Sequence, residues 1–186
     1  MFNRETIVPL MDDSVRTLGQ AKTTAFVPVL AERLTRDRLR ALARSEGKMN
    51  TDVPSVLFLC IHNAGRSQMA AGWFRRLAGH RALVYSGGSE PADELNAVAI
   101  EAMREVGIDI ADELPKPWTD EVVRAADIVV TMGCGDACPV VPGVRYVDWE
   151  VDDPAGQGLG KVRQIRDDIE GRVRDLLRGL GVAPDA

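Results

Sequence analysis

The chain has 186 residues, of which 45% are hydrophobic, and a formal net charge of -5. This length supports one well-packed core and leaves room for a short additional module. No apolar run approaches the roughly 20 residues of a transmembrane helix, and the first residues lack the features of a secretory signal. The weak charge asymmetry does not favour nucleic acid either, so we expect a cytoplasmic globular protein that binds neither membranes nor nucleic acids.

Residues 1–50 differ in pattern from the rest of the chain. Apolar residues recur at helical spacing, as at Ile7, Leu10 and Met11, and few strand-forming residues are consecutive. The pattern predicts an N-terminal module of two or three short helices, which we treat as a three-helix module that ends near Gly47. A module this small buries little surface alone, so we expect it to pack on the second domain or on another copy of itself. Its five neighbouring arginines are predicted to form a solvated helical face (Arg33, Arg36, Arg38, Arg40 and Arg44).

From residue 51 onwards, patterns of strand and helix alternate. Short apolar strands are predicted at 56–59, 82–86, 127–131 and 145–149, and helices at 68–77, 95–106 and 162–177. Strands and helices in this alternation indicate a parallel sheet with helices on both faces. We therefore assign residues 51–186 to one α/β domain with a four-stranded parallel sheet.

The end of the first predicted strand carries the most informative residues. Cys60 ends this strand, and a short loop follows before the next helix (Ile61, His62, Asn63, Ala64 and Gly65). Backbone N–H groups of such a loop can converge on an anion, and the positive end of the following helix favours the same charge. Arg66 can hold a tetrahedral oxyanion through two parallel hydrogen bonds, and Ser67 can donate to a Cys60 thiolate. The stretch predicts an oxyanion-binding loop around a nucleophilic cysteine.

The pattern Cys60-x5-Arg66-Ser67, with Asn63 at its centre, resembles the phosphate-binding loop of low-molecular-weight protein tyrosine phosphatases and of the arsenate reductases that share their fold. The resemblance covers residues 54–180 and implies a flavodoxin-like α/β fold. That family also carries a late Asp-Pro pair whose aspartate is the general acid, and Asp153-Pro154 occupies the corresponding place. By this resemblance, Asp153 would protonate the oxygen that leaves the substrate.

The other two cysteines bear on the choice between a phosphatase and a reductase. The phosphatases usually have aromatic residues after the Asp-Pro pair and a second cysteine in the loop, where this sequence has Ala155 and Gly65. Cys134 and Cys138 follow the third predicted strand, in a stretch that resembles the redox segment of thioredoxin-linked arsenate reductases. The resemblance implies that Cys60 forms an arsenic adduct, that Cys134 attacks it to release arsenite, and that Cys138 takes over the disulfide. Thioredoxin would reduce this disulfide, phosphate would compete with arsenate for the loop, and no bound cofactor is implied.

Several alternatives stay open beside this leading hypothesis. A mycothiol-dependent arsenate transferase would need Cys60 alone, and a phosphatase would use the same loop without the other thiols. A non-catalytic oxyanion or thiol sensor is disfavoured because binding needs neither the nucleophile nor Asp153. Cys134 and Cys138 could instead be buried structural thiols. A zinc site is a further alternative, but the sequence has no set of four ligands at recognisable spacing, so we expect no metal.

The N-terminal module has its own resemblance. Residues 1–50 resemble a small three-helix module that is found fused to or beside arsenic-resistance proteins. The resemblance does not suggest catalysis. We expect this module to mediate a homodimer.

Overall fold

The computed structural model describes residues 2–19, 27–48, 52–134, 138 and 140–185. The helices are α1 (Arg4–Gly19), α2 (Val27–Ser45), α3 (Arg66–Ala78), α4 (Ala97–Glu105), α5 (Asp120–Ala125) and α6 (Leu159–Gly179). The strands are β1 (Ser55–Cys60), β2 (Leu83–Gly88), β3 (Ile128–Met132) and β4 (Arg145–Asp148). None of the described helices is long and apolar enough to cross a membrane.

The four strands form one parallel sheet in the order β2-β1-β3-β4, which confirms the predicted architecture. Every residue of the central strand β1 is buried, as its unbroken apolar sequence predicts. Its last residue, Cys60, lies opposite Gly88 of β2 and Met132 of β3. The carboxyl ends of three strands therefore meet at one edge of the sheet.

One face of the sheet is covered by α3, α4 and α6. Phe58 projects from β1 into this layer, where its ring contacts Phe74 of α3 and Trp149, with centroids 5.8 and 5.6 Å away. On α6, Ile169 and Val173 are four residues apart and both fully buried, so one apolar stripe of the helix faces the sheet. Burial of these large side chains is the main stabilisation of this half of the domain.

The opposite face is covered by the short helix α5 and by α2 of the N-terminal module. Leu57 and Leu59 alternate with Phe58 along β1 and pack against Val123 of α5 and Ala41 of α2 within one buried cluster. Helix α5 did not appear among the predicted elements, because six residues are too few to show a helical period. The N-terminal module thus packs on the α/β domain of its own chain.

The described part of residues 1–50 consists of α1 and α2, which pack together around Leu18, Ala31 and Leu34. The prediction of a third helix stays a prediction, because residues 20–26 and 49–51 lie outside the described residues.

The predicted solvated arginine face is wrong for Arg38 and Arg44, which are both buried. Arg38 donates to Asp13 of α1 at 2.8 Å and to Glu121 of α5 at 3.0 Å. Arg44 donates to a carboxylate oxygen of Asp127 at 2.7 Å. Their acidic partners come from α1, from α5 and from Asp127 just before β3, so this side of α2 is an interface with buried charges rather than a water-facing surface.

Candidate active site

The loop between β1 and α3 is shaped by donors that lie outside it. The carbonyl oxygens of four loop-region residues accept hydrogen bonds from backbone N–H groups of the segment 89–96, at 2.9 to 3.3 Å (Cys60, Ile61, His62 and Ala64). A fifth carbonyl, that of Asn63, accepts from the side chain of Gln68 at 3.1 Å. In a trans peptide unit the N–H points away from the C=O, so the N–H groups that follow these carbonyls face the inner side of the loop. The result is a concave array of donors suited to an anion.

Cys60 lies at the start of this loop and is 2% exposed. The backbone N–H of Asn63 donates to its Sγ at 3.2 Å, and the Oγ of Ser67 lies 3.0 Å from the same sulfur. The side-chain Nδ2 of Asn63 donates to Ser67 Oγ at 2.8 Å, so the serine hydroxyl can donate its own proton to the sulfur. Two hydrogen-bond donors thus contact this sulfur. Asn63 itself has φ of 48°, a backbone conformation that asparagine tolerates better than most residues.

Two residues that the sequence analysis did not single out fix Asn63 through hydrogen bonds. The Gln68 side-chain nitrogen donates to the Asn63 carbonyl and to its side-chain oxygen, both at 3.1 Å, and to Leu114 O at 3.0 Å. The backbone N–H of Lys116 donates to the same side-chain oxygen at 3.0 Å. Gln68 is 1% exposed, and a glutamine among the buried residues of α3 was the one signal that could have revealed it.

Arg66 and Asp153 form an ion pair beside the thiol. One Arg66 Nη donates to Asp153 Oδ2 at 2.8 Å, with the guanidinium largely buried and the carboxylate about half exposed. The other carboxylate oxygen accepts from the N–H of Ala155 at 3.0 Å, which fixes the turn. Pro154 covers the loop, and a Cβ added at Gly65 would lie 2.6 Å from its Cγ. A side chain at position 65 would therefore require Pro154 to shift.

The segment that carries Cys134 and Cys138 begins next to the guanidinium of Arg66. Cys134 and Cys138 form a disulfide with Cα atoms 5.8 Å apart, while Cys60 is a free thiol. Gly133 has φ of 76°, and a Cβ added there would lie 2.9 Å from an Nη of Arg66. The pair thus lies at the sheet edge that carries the Cys60 loop, and the intervening residues 135–137 are outside the described residues.

The remaining loop residue with a polar side chain is His62, which is exposed and lies 3.0 Å through Nδ1 from the carbonyl of Glu90. Its backbone belongs to the donor array, whereas its ring contacts the neighbouring segment. In the described ranges, no group of three or more His, Cys, Asp or Glu side chains could hold a metal ion.

Two family models match different parts of the chain. Residues 55–183 match the model of the low molecular weight phosphotyrosine protein phosphatase family. Residues 1–43 match the N-terminal domain of protein-tyrosine-phosphatase-like proteins.

Individual relatives include bacterial and archaeal proteins. Arsenate reductase 2 of Staphylococcus epidermidis is 42% identical over 129 residues, which cover 67% of this chain and 97% of the relative. A putative arsenate reductase of Halobacterium salinarum is 40% identical over 124 residues, 64% of this chain and 87% of the relative.

The chain is also similar to solved structures of arsenate reductases. A thioredoxin-dependent arsenate reductase of Corynebacterium glutamicum is 44% identical with a TM-score of 0.87, and the match covers 97% of this chain and 89% of that chain. An arsenate reductase in a phosphate-binding state is 33% identical with a TM-score of 0.61, covering 68% of this chain and 98% of that one.

Proposed function

Because the chain belongs to the low molecular weight phosphotyrosine protein phosphatase family, we propose that it is an arsenate reductase recycled by thioredoxin. The observation that carries this proposal is the Cys134–Cys138 disulfide beside the loop of the free thiol Cys60. A phosphatase needs one nucleophilic thiol, whereas a reductase also needs a source of two electrons. The adjacent pair of thiols supplies that source.

The first step uses the Cys60 loop. Arsenate binds to the inward N–H groups and to Arg66, where its oxygens replace the carboxylate of Asp153. The Cys60 thiolate then attacks arsenic, and a sulfur–arsenic bond forms as one oxygen departs. Asp153, released from the guanidinium, protonates that oxygen so that it leaves as water. Phosphate has the same shape and charge, so it competes for the loop.

The electrons for reduction come from the thiols. Cys134 attacks the sulfur of Cys60, the sulfur–arsenic bond breaks, and its electron pair stays on arsenic, which leaves as arsenite. Cys138 then attacks Cys134, which frees the Cys60 thiolate and leaves the Cys134–Cys138 disulfide. A Cα separation of 5.8 Å suits this bond. Thioredoxin would reduce it by dithiol exchange, without a bound cofactor.

The roles of the N-terminal module and of the compartment belong to the same proposal. The chain divides near residue 50 into a helical module and the catalytic domain. On α1, Ile7, Val8 and Val15 are 36 to 42% exposed, and this apolar surface would form the contact of a homodimer. Sedimentation of a Val8→Glu/Val15→Glu variant should then give monomers. We place the reaction in the cytoplasm, where thioredoxin keeps dithiols reduced.

The decisive experiment measures NADPH consumption after arsenate is added to the full chain with thioredoxin and thioredoxin reductase. We expect consumption that stops in the Cys134→Ser and Cys138→Ser variants, while Cys138→Ser still releases about one arsenite per chain. Reactions with phosphate in place of arsenate are the control. Full turnover of Cys138→Ser with mycothiol would instead establish a transferase that needs Cys60 alone, and hydrolysis of phosphomonoesters without arsenate reduction would establish a phosphatase.

A further inference from the structure

A cavity outside the candidate active site lies between the N-terminal module and the catalytic domain. Its volume is about 470 Å³, and it is bounded by α2, the end of α3, β2 and residues 112–116. None of its lining residues belongs to the Cys60 loop, and the proposed reduction does not use it. The volume is in the range of small-molecule binding sites.

The walls of this cavity are positively charged, although the whole chain has a net charge of -5. Five cationic side chains line it, against three acidic ones (Arg33, Arg36, Arg40, Arg75 and Lys116; Asp37, Asp112 and Glu113). Glu113 is already paired with Arg75 at 3.0 Å. The Asp37 carboxylate lies 4.0 Å from an Nη of Arg40, and burial raises the pKa of this carboxyl group despite its cationic neighbours. Arg36 pairs with Glu32, and Arg33 donates to the carbonyl of Asp112 at 2.9 Å, so the lining keeps more cationic than acidic side chains although several of them already have protein partners.

Two polar groups in the wall lack a strong partner within the protein. Lys116 Nζ has a single described hydrogen bond, to Ser86 Oγ at 3.3 Å, and burial lowers the pKa of this ammonium group. Tyr85 is only 8% exposed, yet its hydroxyl has no hydrogen-bond partner among the described residues. Burial, together with the charge of Asp37, raises the pKa of Tyr85, so the hydroxyl keeps its proton and can donate it. An anionic oxygen placed between them would accept from both groups.

We propose that this cavity binds a small, multiply charged oxyanion, an organic phosphate or a polycarboxylate, that bridges α2 and the segment 112–116. Lys116 and the Tyr85 hydroxyl would hold one oxygen. The guanidinium groups of Arg33 and Arg40 on α2 would hold the others, since planar guanidinium matches phosphate and carboxylate geometry.

An anion at this site would act on the segment that braces the Cys60 loop. The backbone N–H of Lys116 donates to the Asn63 side chain, and the carbonyl of Leu114 accepts from Gln68. A bound anion would fix this segment against α2 and so stabilise the ordered form of the loop. The effect on the reaction, a lower KM for arsenate, rests on the proposed function, whereas the binding itself does not.

The test is isothermal titration calorimetry of the full chain with pyrophosphate and with citrate, one probe for each chemistry. The Arg40→Gln/Lys116→Met variant should weaken binding about tenfold or more, and Tyr85→Phe, which removes only the unpartnered hydroxyl, about threefold. Arg178→Gln is the matched control, because it removes one arginine from an exposed position on α6 and should change nothing. Circular dichroism would check that each variant is folded.

The Arg66→Gln variant distinguishes anion binding in the cavity from anion binding in the Cys60 loop. Binding that persists in Arg66→Gln and weakens in Tyr85→Phe supports the proposal, and a response to only one of the two probes identifies the ligand class. Binding that is lost in Arg66→Gln but unchanged in both cavity variants would overturn it, as would the absence of binding by either probe. Neither result depends on whether the chain reduces arsenate.

Discussion

The two faces of the sheet differ in the helices that cover them and in the cysteine that each core contains. The first face is covered by α3, α4 and α6, and the second face by α5 and α2. Cys60 belongs to the core formed with α3, α4 and α6, all of which follow the first strand in the same domain. Cys134 belongs to the other core, which contains only the six-residue helix α5 from the catalytic domain and is completed by Ala41 of α2. The proposed nucleophile and the proposed resolving thiol are thus supported by different parts of the chain.

This difference indicates what each region needs for its chemistry. The loop of Cys60 must hold several donors in one geometry, and long buried helices with a braced asparagine provide that rigidity. In the proposed relay the thiols at 134 and 138 exchange partners, and their face depends on a helix from outside the catalytic domain. Changes on the first face should therefore alter chemistry, and changes at the α2 contact should alter stability.

The largest effect is expected for Cys60→Ser. The proposed arsenic adduct cannot form on a serine hydroxyl, which is a far weaker nucleophile than a thiolate, so arsenate reduction should fall by about 10⁴-fold or more. The hydroxyl can keep the contacts with Asn63 and Ser67, so the melting temperature should change little. Arsenite production and a thermal melt measure the two quantities. Turnover within a hundredfold of the wild type would contradict the role of this cysteine.

The second effect concerns the contact between α2 and the catalytic domain. Arg44 donates to the carbonyls of Ala125 and Val53 at 3.0 and 2.8 Å and to Asp127, and its side chain is 5% exposed. Arg44→Met would keep the packing of the stem but remove these donors, which should destabilise the fold by about 2–4 kcal/mol. Urea unfolding measures this loss.

Arg36→Met is the matched control for this variant. It removes an arginine of α2 whose ion pair with Glu32 is exposed, and it should cost less than about 1 kcal/mol. Equal losses of stability in the two variants would show that the buried contact does not hold the second face.

The sequence predicted the first face better than the second. The unbroken apolar run of β1, followed by Cys60 and Arg66, was sufficient to predict the loop and the helix because all of these residues are close in sequence. Arg38 and Arg44 were misjudged since their partners Glu121, on α5, and Asp127, just before β3, are about 80 residues away, and helical spacing alone does not show which face meets another element. Lys116 was missed for the same reason, because its contact with Asn63 joins positions 53 residues apart.

A third and smaller effect is expected where the two faces meet, at Gly133→Ala. A Cβ at this position would lie 2.9 Å from an Nη of Arg66, and φ of 76° is unfavourable for alanine by about 1–2 kcal/mol. The guanidinium must shift, so the KM for arsenate and the inhibition constant of phosphate should both rise, by about tenfold. Steady-state kinetics measure both quantities.

Gly107→Ala separates the backbone strain from the contact with Arg66. Gly107 has φ of 75°, and no heavy atom lies within 4 Å of an added Cβ. It should lower stability by a similar amount while the KM stays at the wild-type value. A rise in KM for Gly107→Ala as well would attribute the effect to general destabilisation.

The smallest effect is expected at Glu121, through which Arg38 joins α2 to α5. Burial alone would raise the pKa of this carboxyl group, but several hydrogen bonds, the largest from Arg38, together with the charge of Arg38, outweigh burial and lower the pKa below its ordinary value. The folded chain therefore binds this proton less readily than the unfolded chain, so stability from Glu121 is present at neutral pH and is lost as the pH falls through the lowered value. In Glu121→Gln this dependence disappears while an oxygen acceptor for Arg38 remains. Urea unfolding at pH 7 and pH 4 should show a smaller acid loss in the variant, by about 1 kcal/mol or less. Identical losses in both proteins would mean that the charge of Glu121 contributes nothing to the contact that completes the second face.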